Sequence, residues 1–319
     1  MSQSYLSKSK YLRGWQCHKS LYLDKQHPEL RDEISEGQEA VFAKGHQVGY
    51  YAQQLFPGGV VVGMGDFKNI RASVALTQEL IHQNTPVIYE SAFEFDGNIN
   101  YMDILVKSEN GWKAYEVKGS TQLKEYYLQD IAFQFYVITH SGLELEDIYL
   151  VHINNEYIRQ GELDIQKLFT IISVKDQVIA MQDEIRDRIN KLKQMLSQSI
   201  PAIDIGPYCE DPYPCDFYGH CWKHIPEYSV FDIGNLWTSK KFDLYYKGIV
   251  ELKDIPEDTP LNDNQWMQVE CEINGESIID KAKLREFKKQ FQYPLYFLDF
   301  ETFQPAIPLY DNSKPYQQI

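Results

Sequence analysis

The chain has 319 residues, 43% of them hydrophobic, and a net charge of −15 at neutral pH. That length suits about two domains with a substantial core, and the charge excludes a global electrostatic pull toward nucleic acid while leaving room for a local basic or metal-lined groove. No apolar run reaches the roughly eighteen residues of a membrane helix, and the first residues lack the apolar region of a signal peptide, so a cytoplasmic protein with no membrane association is expected.

In chain order, SYLSKSKYLRGWQCHKSLYLDK reads as a helical hairpin or short helix pair. DEISEGQEAVFAKGHQVGYYAQQLF reads as a helix, with Ala40, Ala43, Val48, Ala52 and Leu55 at helical spacing and PGG as its stop. A short helix is predicted near residues 70–83, then an alternating strand, PVIYESAFEF. Asp96-Gly97 turns the chain into INYMDILVK, and Asn110-Gly111 turns it again into WKAYEVKG. A helix of about twenty residues follows from Thr121 and ends at Gly142, then a strand, DIYLVHIN. From Val174 to Leu196 apolar residues step by threes and fours, which predicts one long amphipathic packing helix. Helices, three antiparallel strands, a helix, a strand and more helices make a mixed α/β layer.

The stretch from Asn100 to Thr121 carries Asp103, Glu116 and Lys118 on strands that otherwise read as buried. If Asn110-Gly111 forms a two-residue turn, Asp103 faces Lys118 and Leu105 faces Glu116. Opposed residues, and residues two apart on one strand, share a side, so the two acids and the lysine converge while Tyr115 and Val117 point away. A four-residue loop shifts the register by two and keeps this result. Paired carboxylates repel unless a cation lies between them, and magnesium or manganese is held by such oxygens. An ion there activates water and neutralises a phosphoryl group, and a lysine beside it orients the water or stabilises the transition state. The alternative is a salt bridge across a hairpin. Gln134 on the next helix can reach the same face. His46 on the earlier helix is a further candidate ligand, Glu39 a weaker one, and Glu90 is either a third facing acid or an ion-pair partner.

Five cysteines in a cytoplasmic chain require an explanation other than structural disulfides. YCEDPYPCDFYGHCW places Cys209, Cys215 and Cys221 in a turn-rich segment, and Cys17 lies far upstream. Together they supply four thiolates, which suit zinc or an iron–sulfur cluster. Cys271, in a strand-like VECEING, reads as a lone buried thiol.

An acid–acid–lysine strand pair, a following helix with Gln134, and one N-terminal plus three C-terminal cysteines resemble the RecB-like nucleases of the PD-(D/E)XK superfamily. The closer resemblance is to the branch with an iron–sulfur staple, which includes the CRISPR-associated Cas-four exonucleases and the AddB nuclease domain. It covers about residues 1–225 and implies a restriction-endonuclease-like mixed sheet with an iron–sulfur-clamped helical periphery. It also implies DNA, with a free end or single-stranded, as substrate. By the resemblance Asp103 and Glu116 bind Mg2+ or Mn2+, Lys118 is catalytic, and Cys17, Cys209, Cys215 and Cys221 hold a [4Fe–4S] cluster. Ile138 stands four residues after Gln134, where that family often has tyrosine, and Gly45 directly precedes His46 rather than lying several residues before it. A binding module with the same fold, a structural iron–sulfur or zinc site and no hydrolysis is the alternative.

Residues 226–290 read as a small helical connecting region. The closing segment 291–319 contains LYFLDFET, an apolar strand with Asp299 and Glu301 on one face. It resembles the first motif of DnaQ-like 3′–5′ exonucleases, where such a pair binds metal, and the whole resembles an uncharacterised bacterial family joining the two kinds of nuclease. Only eighteen residues follow Glu301, too few for the rest of such a sheet, so a truncated second domain without activity of its own is expected.

Overall fold

The computed structural model describes residues 5–63 and 69–319. They form two compact units. The first takes the N-terminal residues through Pro28, Glu33–Ala202 and Thr302–Ile319; the second takes Glu29–Asp32 and Ile203–Glu301.

The first unit is a mixed sheet flanked by helices. Strand β1 (Leu6–Ser7) leads into α1 (Lys8–Gln16) and α2 (His18–Gln26), the expected helix pair, which meet at Cys17. Helix α3 (Glu36–Gln53) begins in a capping box between Ser35 and Gln38. Only its second half is packed: Val48 and Ala52 are buried, while Ala40 and Ala43 are exposed. Then come β2 (Val60–Val61), α4 (Ile70–His82), β3 (Val87–Phe95), β4 (Asn98–Lys107), β5 (Trp112–Lys118), α5 (Glu125–His140) and β6 (Leu145–Ile153). The short α6 (Ile165–Leu168) precedes β7 (Phe169–Ser173), α7 (Lys175–Ala180) and α8 (Gln182–Leu196). The strand order is β2-β3-β4-β5-β6-β7, with β1 pairing in parallel with β4. Strands β5 and β6 are parallel, joined across α5 as parallel neighbours must be.

Asp96 and Gly97 both have positive φ, 48° and 70°, between the paired Phe95 and Asn98, which is the two-residue turn expected there. The second turn is longer. Lys107 pairs with Trp112 and Ile104 with Tyr115, so residues 108–111 form a four-residue loop closed by Ser108 N–H donating to Gly111 O. The register is thus two residues from the one a tight Asn-Gly turn gives.

Two readings need correction. The span 174–196 is two helices meeting at Met181, and β7 precedes it, because the β-branched and aromatic stretch Phe169–Ile172 completes the sheet against β6. Cys271 lies in the helix Asp263–Asn274, not a strand-like segment, and is half-buried rather than buried.

One core packs α5, α1 and α8 on the sheet face that carries Ile88, Leu105 and Ala114. The opposite face carries Tyr89, Ile104 and Tyr115 and packs against Val48 and Ala52 of α3. Ala306 and Ile307 are fully buried on that second face, so the last residues of the chain belong to the sheet unit.

The second unit is helical. It contains α9 (Tyr218–Trp222), α10 (Thr238–Tyr245), α11 (Asp263–Asn274) and α12 (Lys281–Lys289). Asn262 and Gln265 cap α11 reciprocally, and Gly275 ends it at φ 65°, which places Cys271 mid-helix. Its core is Val230, Ile233, Leu244, Leu252, Ile255 and Val269. Besides Glu29–Asp32, this unit takes in Ile203–Glu301 and with it the three clustered cysteines. Residues 291–301 form no strand: Tyr296, Phe297, Leu298 and Phe300 are each at least 78% exposed. A lone strand has no ladder to satisfy its backbone, so the expected first strand of a second nuclease sheet does not form.

Candidate functional site

The sheet opens at β4. Strand β1 pairs with Asn98 and Ile99 of β4, and β5 pairs with Ile104–Lys107; β3 occupies the other edge. Between β1 and β5 the edge of residues 100–103 carries no strand among the described residues. Here the alternation of β3 and β4 also slips. Glu90 has φ 53°, a left-handed conformation a non-glycine residue adopts at a cost of about 1–3 kcal/mol. The ladder pairs Tyr89 with Ile104 and Ser91 with Met102 but leaves Glu90 and Asp103 unpaired between them. Ile88 and Phe93, an odd number of residues apart, consequently face the same core, as do Leu105 and Met102.

Asp103 sits at this break. Its Oδ2 accepts from Val117 N–H at 2.6 Å, replacing the backbone acceptor that β4 no longer offers. Glu116, 1% exposed, is the centre of the site. Its Oε1 accepts from Lys118 Nζ at 2.7 Å and from Lys8 Nζ at 2.8 Å, and its Oε2 accepts from Gln134 Nε2 at 2.8 Å. Lys118 also donates to the buried carboxylate of Asp130. Gln134 Nε2 lies 3.3 Å from Asp130 Oδ1, and Gln134 Oε1 accepts from Asn100 Nδ2 at 3.3 Å. Asn100 Oδ1 is buried without a hydrogen-bond partner among the described residues.

The structure thus brings Asp103, Glu116, Lys118 and Gln134 together on the α5 side. Three members were not singled out from sequence. Asp130 precedes Gln134 by four residues, the spacing that puts two side chains on one helix face, so helical spacing would have found it. Lys8 and Asn100 left no local signal.

The charges are unequally balanced. Burial pushes the Glu116 carboxyl up, but Lys118 and Lys8 outweigh it and hold it at about 2. Burial and then Glu116 push Asp103 well above the ordinary carboxylate range. Glu90 is pushed to about 7 by burial, with Glu116 adding to the effect and Lys8 opposing it. Lys118 is burdened by burial yet ends well above its usual value because Asp130 and Glu116 hold its proton. Glu90, Asp103 and Glu116 are hard oxygen donors of the kind magnesium and manganese prefer, but among the described residues no three His, Cys, Asp or Glu side chains stand grouped so as to hold a metal ion.

Directly after Lys118, Gly119, Ser120, Thr121, Gln122, Lys124, Tyr127 and Tyr316 line an open cavity of about 320 Å³. Tyr316 donates to Gly119 O at 2.5 Å, and Lys118 Nζ lies 5.5 Å from the centre of the Tyr127 ring.

Other candidates lie apart from this network. His46 is exposed on α3 and shares no hydrogen bond or ion pair with Asp103, Glu116 or Lys118. Glu39 is exposed in the first turn of the same helix. Asp299 and Glu301 are exposed in the second unit, on the segment that forms no strand.

The second unit draws its three cysteines into one neighbourhood. Cys215 N–H donates to Cys209 O at 2.8 Å, and Cys209 and Cys221 join the cluster built on Ile205, Trp222 and Phe242. Burial pushes the Cys209 thiol up, with the neighbouring Cys215 contributing. Thiolates are soft ligands for zinc and iron, but among the described residues these cysteines do not stand grouped so as to hold a metal ion. Cys17 belongs to the sheet unit, where it ends α1 and begins α2.

Residues 296–319 match the model of a domain of unknown function, DUF2779. No curated protein matches the chain. Solved structures with similarity to it include the crystal structure of SSO0001, at 11% identity and a TM-score of 0.30, covering 64% of this chain and 81% of that one.

Proposed function

We propose that the chain is a metal-dependent nuclease with a restriction-endonuclease-like sheet, hydrolysing phosphodiester bonds in DNA. The observation that carries this reading is the buried network of Glu116, Lys118, Asp130 and Gln134 beside Asp103, where the sheet edge opens. Asp103 and Glu116, with Glu90 facing them, would hold magnesium or manganese. Such an ion supplies charge neutralisation and water activation for phosphoryl chemistry.

The remaining work falls to the chain's own groups. Lys118 has three ammonium protons, two of them committed to Glu116 and Asp130. Among the described residues the third has no hydrogen-bond acceptor, so it can donate to an attacking water or a non-bridging phosphoryl oxygen, holding it in line with the bond to be broken. Gln134 fixes the carboxylate plane of Glu116 from the helix side, and Asp130 fixes Lys118. The polar cavity next to Lys118, with Lys124 and two tyrosines, suits a nucleotide flanking the scissile phosphate. In the second unit, Cys209, Cys215 and Cys221 would supply thiolates to an iron–sulfur cluster; zinc is the competing occupant.

One observation favours a second reading, a binding module without hydrolysis. Both oxygens of Glu116 are already taken, by Lys8, Lys118 and Gln134, so the network is neutralised as it stands. Digestion of end-labelled single- and double-stranded DNA with Mg2+ or Mn2+ separates the two. Activity lost in both Glu116→Ala and Lys118→Ala supports the nuclease. Undiminished cleavage by both variants sinks this assignment of the site, and DNA binding without cleavage under either metal supports the binding module.

A further inference from the structure

We infer that the exposed stretch 281–298, helix α12 with the chain that leaves it, is a docking strip for single-stranded nucleic acid. None of the residues around Glu116 takes part, so binding here and hydrolysis there stand or fall separately. In a chain of net charge −15 with 46 acids, the strip carries five of the 31 lysines and arginines and a single acid, Glu286. It also carries five aromatic rings, those of Phe287, Phe291, Tyr293, Tyr296 and Phe297. Every residue of it except Leu295 is exposed, and Tyr293, Tyr296 and Phe297 are at least 83% so.

Within α12 the cations are sorted. Lys283 and Lys289 are paired with Asp280 and Glu286. Lys281, Arg285 and Lys288 make no ion pair among the described residues, and their steps of four and three put them on one helix face. Leu284 and Phe287 form the neighbouring stripe, which Phe291 extends with its ring edge-on to Phe287 at 5.0 Å. No core cluster of the helical unit draws on the strip. A nine-residue helix with nothing packed on it is marginal in water, and contiguous exposed apolar surface marks an interaction site. A single strand meets both needs: its phosphates take the unpaired cations, and its unstacked bases take the rings. A duplex keeps its bases from those rings. An anionic membrane offers the same charge to a basic amphipathic helix. Tyr293, Tyr296 and Phe297, however, sit on backbone that is neither helix nor strand. Lipid would leave the polar groups of that backbone unsatisfied, whereas stacked bases leave them in water.

The test is fluorescence anisotropy of labelled oligothymidylate with the full chain, in chelator and without divalent metal, over a range of salt. Wild type is compared with the triple variant Lys281→Gln, Arg285→Gln, Lys288→Gln and with the pair Tyr293→Ala, Tyr296→Ala. A control triple, Lys240→Gln, Lys247→Gln, Lys253→Gln, removes the same charge from exposed positions elsewhere in the helical unit. Loss of three phosphate contacts should flatten the slope of log affinity against log salt by about 2 and weaken binding on the order of a hundredfold at about 0.1 M salt. The tyrosine pair should weaken binding by about fivefold or more per ring with the slope unchanged. The control should stay within about twofold of wild type, since its lysines are not contacts. All substituted side chains are exposed, and circular dichroism confirms that each variant is folded. Unchanged binding by the strip triple, an equal loss in the control, or no binding by the wild type overturns the inference. Strip-dependent binding to phosphatidylserine vesicles without binding to oligothymidylate overturns it in favour of a membrane surface. Cleavage assays of Glu116→Ala and Lys118→Ala, whose binding in chelator should equal that of wild type, judge the nuclease reading independently.

Discussion

Replacing Glu116 by glutamine keeps the shape of the side chain and removes its charge. In the native sheet that charge receives two ammonium groups and one amide, at 2.7, 2.8 and 2.8 Å, with the side chain only 1% exposed. A carboxyl held from 4.5 down to about 2 corresponds to roughly 3 kcal/mol in favour of its ionised form in the fold. Removing one partner of a buried ion pair costs about 3–5 kcal/mol by analogy with other proteins. Relief of the repulsion from Asp103 and Glu90 works the other way, so the lower figure is the one expected. Against a domain stability of about 5–15 kcal/mol the variant still folds. Native-state hydrogen exchange at the amides of β4 and β5 reports this unit without interference from the helical one. The sign with pH follows from the depressed carboxyl. Its contribution is fully present above about 4.5 and is lost as pH falls through about 2. The gap between wild type and Glu116→Gln should therefore be widest near neutrality and close on acidification. Protection that changes by less than about 0.5 kcal/mol, or a gap that widens in acid, refutes the assignment of Glu116 as the hub of the network.

Asp103→Asn should have the opposite effect on stability. Its amide oxygen still accepts from Val117 N–H, while the buried charge that Glu116 opposes is gone. A gain of roughly 1–2 kcal/mol above neutral pH, together with weaker Mn2+ binding, is expected, since functional sites trade stability for charge; a loss in thermal melting contradicts it. For the thiols, anaerobically purified protein should be brown, with a broad band near about 400 nm and bound iron. Cys209→Ser and Cys221→Ser should lose both, and Cys271→Ser neither. Stoichiometric zinc in a colourless protein would replace iron with zinc at these residues.

What the sequence revealed was what short-range chemistry controls. Asp96-Gly97 dictates a turn because both positions need positive φ, and the paired strands on either side of it follow. Asn110-Gly111 offered the same cue, but the loop closes through Ser108 and Gly111 over four residues. The shared face of Asp103, Glu116 and Lys118 survives because a shift of two preserves side-chain alternation. Where tertiary context decides, local pattern misled. The FTIIS segment of β7 has strand chemistry but lay beside a helical period, and the continuous period from Val174 to Leu196 concealed the break at Met181. LYFLDFET has the composition of a buried strand, yet a strand also needs a neighbour, and it lies exposed without one.

The site shows the same division more sharply. Two acids and a lysine on a hairpin can be read from alternation, but whether they form a surface ion pair or a buried hub depends on what closes over them. Here α5 supplies Asp130 and Gln134 from one helix face, and α1 supplies Lys8, its first residue, from more than a hundred residues away. Lys8 is what makes the hub ambiguous. With its ammonium on Glu116, and Gln134 on the other oxygen, that carboxylate is a satisfied structural hub as it stands; under the nuclease reading proposed above, the Lys8–Glu116 ion pair is the contact a divalent ion would first have to break, at the cost of uncovering a buried charge.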